Sequence, residues 1–185
     1  MAKDSCYVEY EAVSVRSGKS ERWRSIRQLG EGVFSKVMLA TKESSISEMG
    51  LNSYSEDRVL DPRSCVAVKI CNHGPAGGAD EKSLETSIKR ELDLMKAIDH
   101  PSLIHLKAAK ALDRQTLFVL NYCPGGDLFE LASTNLDLLT APLIRRIFAE
   151  LVCAVQYLHS EYIVHRDIKL ESTSFKPSKS LQVRN

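Results

Sequence analysis

The stretch Ile163-Val164-His165-Arg166-Asp167-Ile168-Lys169-Leu170-Glu171 places a histidine, an arginine, an aspartate and a lysine within five positions, after a short apolar lead. Opposite charges that close together either make ion pairs or serve a reaction, because holding them unpaired away from water is strongly unfavourable. A solvated surface loop would carry the same residues. The question is therefore whether the chain upstream builds a site around Asp167.

Three upstream features bear on it. Leu29-Gly30-Glu31-Gly32-Val33-Phe34-Ser35-Lys36-Val37 reads as strand, glycine-rich turn, strand. A hairpin tip without side chains at Gly30 and Gly32 lets backbone amides approach a phosphate closely. It is not a dinucleotide-binding turn, which would lead into a helix, nor a Walker loop, which would end in Gly-Lys-Ser/Thr. An ordinary hairpin turn has the same pattern. The second feature is Lys69, embedded in the strand run Cys65-Val66-Ala67-Val68-Lys69-Ile70-Cys71, where a lysine can also simply extend its ammonium to solvent.

The third is Glu91. The helix predicted from a cap at Asp80 or Ser83 to about Ile98 carries the apolar stripe Leu84, Ile88, Leu92, Met95 and Ile98. Glu91 lies on or beside that stripe. A carboxylate facing inward needs a cation, and Lys69 is the lysine inside the preceding apolar strand. A Lys69–Glu91 pair is thus expected from pattern alone, with a solvated Glu91 on the helix flank as the alternative.

The remaining elements follow from the same patterns. Residues 1–22 are a lead-in, either an extra strand or an unstructured segment, with alternation at Tyr7–Val13. Residues 41–64, rich in Ser, Glu and Asp, form a surface insertion. Leu103–Leu106 and Thr116–Leu120 read as strands joined across Asp113-Arg114-Gln115. Asn121-Tyr122-Cys123-Pro124-Gly125-Gly126 is an extended connector. Asp127 can cap a short helix from Leu128 to about Ala132. Thr140, with Pro142 in the first turn, can cap a longer one to about Ser160, with Ile147, Leu151, Ala154, Val155 and Leu158 on one face.

Bulk properties exclude several function classes. The chain of 185 residues is long enough for a real core, and its 43% hydrophobic and 26% charged content is ordinary for a soluble globular protein. With 25 basic and 24 acidic residues the net charge is +1, which argues against a nucleic-acid or membrane-surface binder. Five scattered cysteines without CxxC spacing suggest neither a zinc site nor a disulfide framework, and the histidines show no HExxH pattern. No signal peptide or membrane span is apparent, so an intracellular protein, cytoplasmic or nuclear, is expected.

Taken in order, Gly30-x-Gly32-x-x-Ser35-x-Val37, Val66-Ala67-Val68-Lys69, Glu91 on the next helix and His165-Arg166-Asp167 resemble the eukaryotic protein kinases. The resemblance covers roughly residues 22–171. It implies an α+β kinase-like fold: a five-stranded small lobe with one main helix over residues 23–120, a hinge at 121–126, and the first helices and catalytic loop of a large lobe over 127–171. It also implies ATP and Mg2+ as cofactors and a protein substrate.

By the same resemblance, the loop Leu29–Val37 would cover the ATP phosphates, and Lys69, positioned by Glu91, would contact them. Val37 and Ala67 would roof the adenine, with Leu120 as gatekeeper. The backbone of Asn121, Tyr122 and Cys123 would bond the adenine edge, and Asp127 would face the ribose. Asp167 would orient or deprotonate the substrate hydroxyl, and Lys169 would offset charge on the transferring phosphoryl group. A lysine two positions after the aspartate is similar to the serine/threonine kinases. Met95, Leu106 and His165 fall at positions of the family's regulatory hydrophobic stack.

The pattern breaks after Glu171. Ser172 stands where the family has an asparagine ligand for magnesium, Ser174 at the adenine-floor position, and no Asp-Phe-Gly follows in this sequence. The abrupt change into residues 172–185 leads to the expectation of a kinase domain truncated near Glu171–Ser172, without phosphoryl-transfer activity of its own. A non-catalytic module binding nucleotide or a partner is the alternative. The stripe Ile147, Leu151, Val155 and Leu158 is expected to lie uncovered, each such side chain forgoing roughly 1.5–3 kcal/mol of burial.

Overall fold

The structure, a computed structural model, describes residues 7–42, 61–73 and 79–174. Most of the 41–64 insertion and of the 172–185 tail, and residues 74–78 of the connector expected at 72–79, lie outside the described residues. The chain divides into two units. The first comprises the described residues up to Ile98 together with Ile104–Tyr122; the second comprises Asp99–Leu103 and the described residues from Cys123 onward.

In the first unit, alternation in the N-terminal lead-in buries one side of a strand. β1 (Glu9–Ser14) turns Tyr10, Ala12 and Ser14 inward and Glu9, Glu11 and Val13 outward. It is followed by β2 (Ser20–Glu31), β3 (Ser35–Lys42), β4 (Cys65–Asn72), helix α1 (Ala79–Ala97), β5 (Leu106–Ala111) and β6 (Gln115–Asn121). The strands close into a barrel in the order β1-β2-β3-β4-β6-β5.

This corrects the expected five-stranded sheet, and the lead-in before residue 23 supplies the additional strand. β1 pairs with β2 from Glu9↔Arg24 to Val13↔Ser20 and with β5 at Val13↔Ala109 and Ser14↔Ala108. Without β1, both β2 and β5 would present unpaired edges. Glu11 reinforces the closure, accepting from Lys110 Nζ at 2.7 Å and from Ser20 Oγ at 2.8 Å.

The barrel separates two apolar clusters. Inside lie Tyr10, Ala12, Trp23, Ala40, Val66, Val68, Ala108, Leu117 and Val119. On the outer face of β4 and β6, Cys71 and Phe118 meet Ile88 of α1, with Leu84, Leu92, Met95, Leu106 and Leu120 packed around them. The α1 stripe therefore faces the sheet, as its spacing predicts.

Local expectations fail at two places. Asp80 and Ser83 lie inside α1 rather than before it, and the Ser83 carbonyl accepts from Ser87 Oγ at 2.9 Å. A cap must precede the first helical residue, and this helix already begins at Ala79. Strand β5 starts at Leu106 rather than Leu103, because Leu103 N–H turns back to the His100 carbonyl at 2.9 Å.

The second unit holds α2 (Leu128–Thr134), a single 3-10 turn at Leu136–Leu138, and α3 (Ala141–Ser160). Asp127 caps α2 through Oδ1, which accepts the Glu130 amide at 2.8 Å. Thr140 takes the N-cap position of α3 with extended backbone, and Pro142 lies in the first turn, but the threonine side chain makes no capping bond. The segment Asp99–Leu103 is tied to α3 by Tyr157. Its hydroxyl accepts the Asp99 amide at 2.9 Å, and its ring stacks on His100 with centroids 5.2 Å apart.

Helix α3 is apolar on more than one side, so periodicity alone does not choose its inward face. The structure buries Leu143, Ala154 and Leu158 and half-buries Ile147, Leu151 and Val155. The expected uncovered stripe is thus largely covered. Ile144, Phe148 and Val152 are the exposed large apolar residues of this helix instead.

Candidate functional site

In the first unit, β3, β4 and β6 align the predicted nucleotide residues in rows. Val37, Lys69 and Phe118 are directly paired across three strands, as are Leu39, Ala67 and Leu120. Directly paired residues share a face of the sheet. Val37, Ala67, Lys69 and Leu120 therefore lie together on the face against which α1 packs. Val37 and Ala67 remain half-buried there.

Lys69 reaches α1 and bonds Glu91, Nζ to Oε1, at 2.7 Å, with the Phe118 ring centroid 5.7 Å from the ammonium. The side chains keep 28% and 41% of their surface exposed. A pair this open contributes at most about 1 kcal/mol to folding, so its significance is positional. It holds a half-exposed cation at one spot on the sheet.

The glycine-rich hairpin joins β2 to β3. Gly30 pairs with Val37 and Glu31 with Lys36 at its base. At the tip, Gly32 and Ser35 bond each other's carbonyls, Gly32 N–H to Ser35 O at 2.7 Å and the reverse at 3.4 Å. A Cβ on Gly32 would sit 3.2 Å from Ser35 Oγ, so a side chain there would require the serine hydroxyl to shift. Val33 and Phe34 project outward, 91% and 52% exposed. Their amides enter none of the tip's backbone bonds, so two successive donors are left at a place where an anion can approach.

At the end of β6, the Asn121 amide donates to the His105 carbonyl at 3.2 Å, so the amide of this member of the predicted adenine-edge trio is already engaged. Tyr122 and Cys123 are half-buried. Cys71, the thiol on the Lys69 face, has its pKa pushed up by burial, which leaves it a poor nucleophile.

In the second unit, the charged loop is shaped by the end of α3. Glu161 caps the helix, and Tyr162 enters the left-handed region at φ 59°. Tyr162 N–H bonds His159 O at 3.1 Å and Ile163 N–H bonds Leu158 O at 2.8 Å. This pair of bonds is a Schellman ending, whose left-handed position is usually glycine. Arg166, at φ 66°, makes a second left-handed turn immediately before Asp167.

Asp167 Oδ2 pairs with Lys169 Nζ at 3.0 Å, and this bond raises the lysine pKa. The Asp167 amide lies 3.3 Å from His165 Nδ1. Ser172 faces back into the loop: its hydroxyl accepts the Lys169 amide at 3.0 Å and lies 2.8 Å from the Asp167 carbonyl and 3.0 Å from the Lys169 carbonyl. Thr173 Oγ1 donates to the Lys169 carbonyl at 3.0 Å. The Leu128 amide at the start of α2 meets the carbonyls of Leu170 and Thr173 at 3.2 and 3.0 Å, and Asp127 bridges to Ser174.

The predicted residues thus form two sets, Lys69, Glu91, Val37, Ala67 and Leu120 on the barrel, and Asp167, Lys169, Ser172 and Asp127 in the second unit. Sequence reasoning missed Thr173 and the left-handed backbone at Tyr162 and Arg166. It included Val33 and Phe34 in the phosphate loop, and the structure leaves their amides outside the tip's backbone bonds. Neither Tyr162 nor Arg166 carries the glycine that usually signals such a turn. The Ser172 bonds close within five residues and leave no spacing signature.

As a chemical arrangement, the first set presents a fixed ammonium and backbone donors suited to phosphate oxygens. The second presents an exposed carboxylate beside a lysine, able to accept a proton and to offset negative charge. Among the described residues, no group of three or more His, Cys, Asp or Glu side chains is placed to hold a metal ion.

Comparison with known proteins agrees with this chemistry. The chain is 32% identical over 176 residues to the serine/threonine-protein kinase PRR1 of Saccharomyces cerevisiae, covering 84% of this chain and 34% of that protein. It is 31% identical over 171 residues to CBL-interacting protein kinase 31 of Oryza sativa, covering 92% and 33%. It is 27% identical over 164 residues to CBL-interacting serine/threonine-protein kinase 2 of Arabidopsis thaliana, covering 89% and 31%. The chain spans about a third of the length of these curated relatives. The protein kinase domain family matches residues 23–173. A chain that carries this family's pattern over most of its length, with the lysine–glutamate pair formed and the His-Arg-Asp loop ordered, belongs to the protein kinase domain family.

Proposed function

We propose that this chain carries the nucleotide-anchoring and catalytic-loop residues of a protein serine/threonine kinase, which transfers the γ-phosphoryl group of ATP to a hydroxyl of a protein substrate. The observation that carries the reading is the 2.7 Å Lys69–Glu91 pair. It fixes a half-exposed cation whose folding contribution is too small to explain it. ATP, when bound, supplies the phosphoryl group. Lys69 and the amides of Val33 and Phe34 hold its phosphates, and Val37, Ala67 and Leu120 line the base. Asp167 orients the substrate hydroxyl and takes up its proton, and Lys169 offsets the charge that develops on the transferred group.

Magnesium is the family's usual partner for these phosphates, but Ser172 does not fit as its ligand, since its hydroxyl is engaged with backbone groups on three sides. The same observation favours a second reading, in which the chain binds nucleotide without transferring phosphate.

The purified chain, incubated with ATP and serine- and threonine-containing peptides, separates the two. Incorporation that falls by about 10²–10⁴-fold in Asp167→Ala supports the transferase, in line with the usual value of a positioned acid–base group. Thermal stabilisation by ATP without incorporation supports the binding module.

A further inference from the structure

We infer that Ser172 is a positioning residue that latches the loop carrying Asp167 and Lys169, and that it is not a metal ligand. This goes beyond the phosphoryl-transfer reading and rests on the loop's geometry alone. A serine hydroxyl has one proton and two lone pairs. Here one lone pair accepts the Lys169 amide at 3.0 Å, and the proton is shared between the carbonyls of Asp167 at 2.8 Å and Lys169 at 3.0 Å.

The latch closes both ends of the segment that carries the charged pair. It grips the Asp167 peptide from the carbonyl side and the Lys169 peptide from both sides. The side chains of these two residues meet at 3.0 Å. Thr173 adds a second hydroxyl on the Lys169 carbonyl, so the tight turn from Lys169 to Thr173 has its backbone groups answered locally.

The remaining lone pair is a poor metal ligand. A hard cation is best served by several charged or carbonyl oxygens, and a neutral hydroxyl is a weak member of such a set. The serine oxygen also stands one bond closer to its own backbone than an asparagine amide oxygen would. Turning outward to a cation would abandon the Lys169 amide and the Asp167 carbonyl together.

The test uses the unmodified 185-residue chain and two variants, and it does not require catalysis. Its failure therefore leaves the kinase reading standing. Amide hydrogen exchange at Lys169 is measured by NMR, with Val68 and Phe118 as reporters of the intact barrel. Ser172→Ala is expected to speed exchange at Lys169 about fivefold, the size of one net hydrogen bond. Ser172→Thr, which keeps the hydroxyl, is expected to restore protection.

Manganese, which takes the oxygen sites of magnesium, is titrated by calorimetry in parallel. Equal affinity in the unmodified chain and Ser172→Ala, or binding in neither, agrees with the latch. A tenfold or greater loss of Mn2+ affinity in Ser172→Ala overturns it. So does unchanged Lys169 exchange in that variant, or failure of Ser172→Thr to restore it. In the unmodified chain, selective paramagnetic broadening of the Ser172 amide by Mn2+ would contradict the inference without any substitution.

Discussion

Lys69 Nζ lies 2.7 Å from Glu91 Oε1, joining the middle of strand β4 to helix α1 across 22 positions of sequence. The strand alternation puts Lys69 on the outer face of the barrel, and the α1 stripe turns Glu91 toward it. Removing the carboxylate should therefore cost little stability and much positioning. Glu91→Gln is expected to shift the melting temperature by no more than about 2–4 °C, while reducing the stabilisation that ATP confers. Differential scanning fluorimetry with and without nucleotide measures both.

Phe118 is fully buried and lies beneath the same ammonium, between β6 and Ile88 of α1. Phe118→Ala removes the main contact that seats α1 on the sheet and leaves a cavity. An unfolding free energy lower by about 3–5 kcal/mol is expected from urea titration.

His73 and Thr116 form a buried polar pair, Nε2 to Oγ1 at 2.9 Å, where β4 ends beside β6. Thr116→Val keeps the side-chain shape but strands the imidazole nitrogen. A loss of about 1–3 kcal/mol is expected in the same titration, the usual penalty for a buried polar atom without a partner. Thr116→Ser, which retains the hydroxyl, should lose less.

The closure of the barrel responds to pH through Glu11. Its bond to Lys110, reinforced by Ser20, holds this carboxyl below the usual carboxylate range. A depressed folded-state value contributes stability above the unfolded pKa, and that contribution is lost as pH falls through the folded value. Glu11→Gln should therefore be closer in stability to the unmodified protein near pH 3 than near pH 7. Denaturation midpoints at low salt, compared at the two pH values, check the sign. Because Glu11 is exposed, added salt should shrink the difference.

Tyr162 takes the left-handed position that ends α3, a place where a side chain is disfavoured by roughly 1 kcal/mol. The residue is 96% exposed, so its side chain contributes little packing. Tyr162→Gly is expected to stabilise the second unit by about that amount, read as a higher thermal midpoint.

How far these features were legible in the sequence differs by the range of the interaction that produces them. The Lys69–Glu91 pair was legible because strand and helix periodicities are both local and both point to the seam between the barrel's outer face and α1. The Asp127 cap and the bounds of α3 were legible for the same reason. The sixth strand was only half visible, since its short alternation gains meaning from pairing with β5 almost a hundred residues later. The inward face of α3 could not be chosen from a helix that is apolar on several sides. The Ser172 latch and the left-handed turns at Tyr162 and Arg166 depend on backbone geometry that ordinary residue types do not announce.

The central claim is that the Lys69–Glu91 pair is an anchor for nucleotide phosphates. The most direct measurement compares thermal stabilisation by ATP and by adenosine in the unmodified chain and in Lys69→Met. Loss of most of the ATP-induced shift in the variant, with the adenosine-induced shift unchanged, is the predicted result, because the ammonium meets phosphate and not the base. An ATP shift that survives Lys69→Met undiminished would contradict the account.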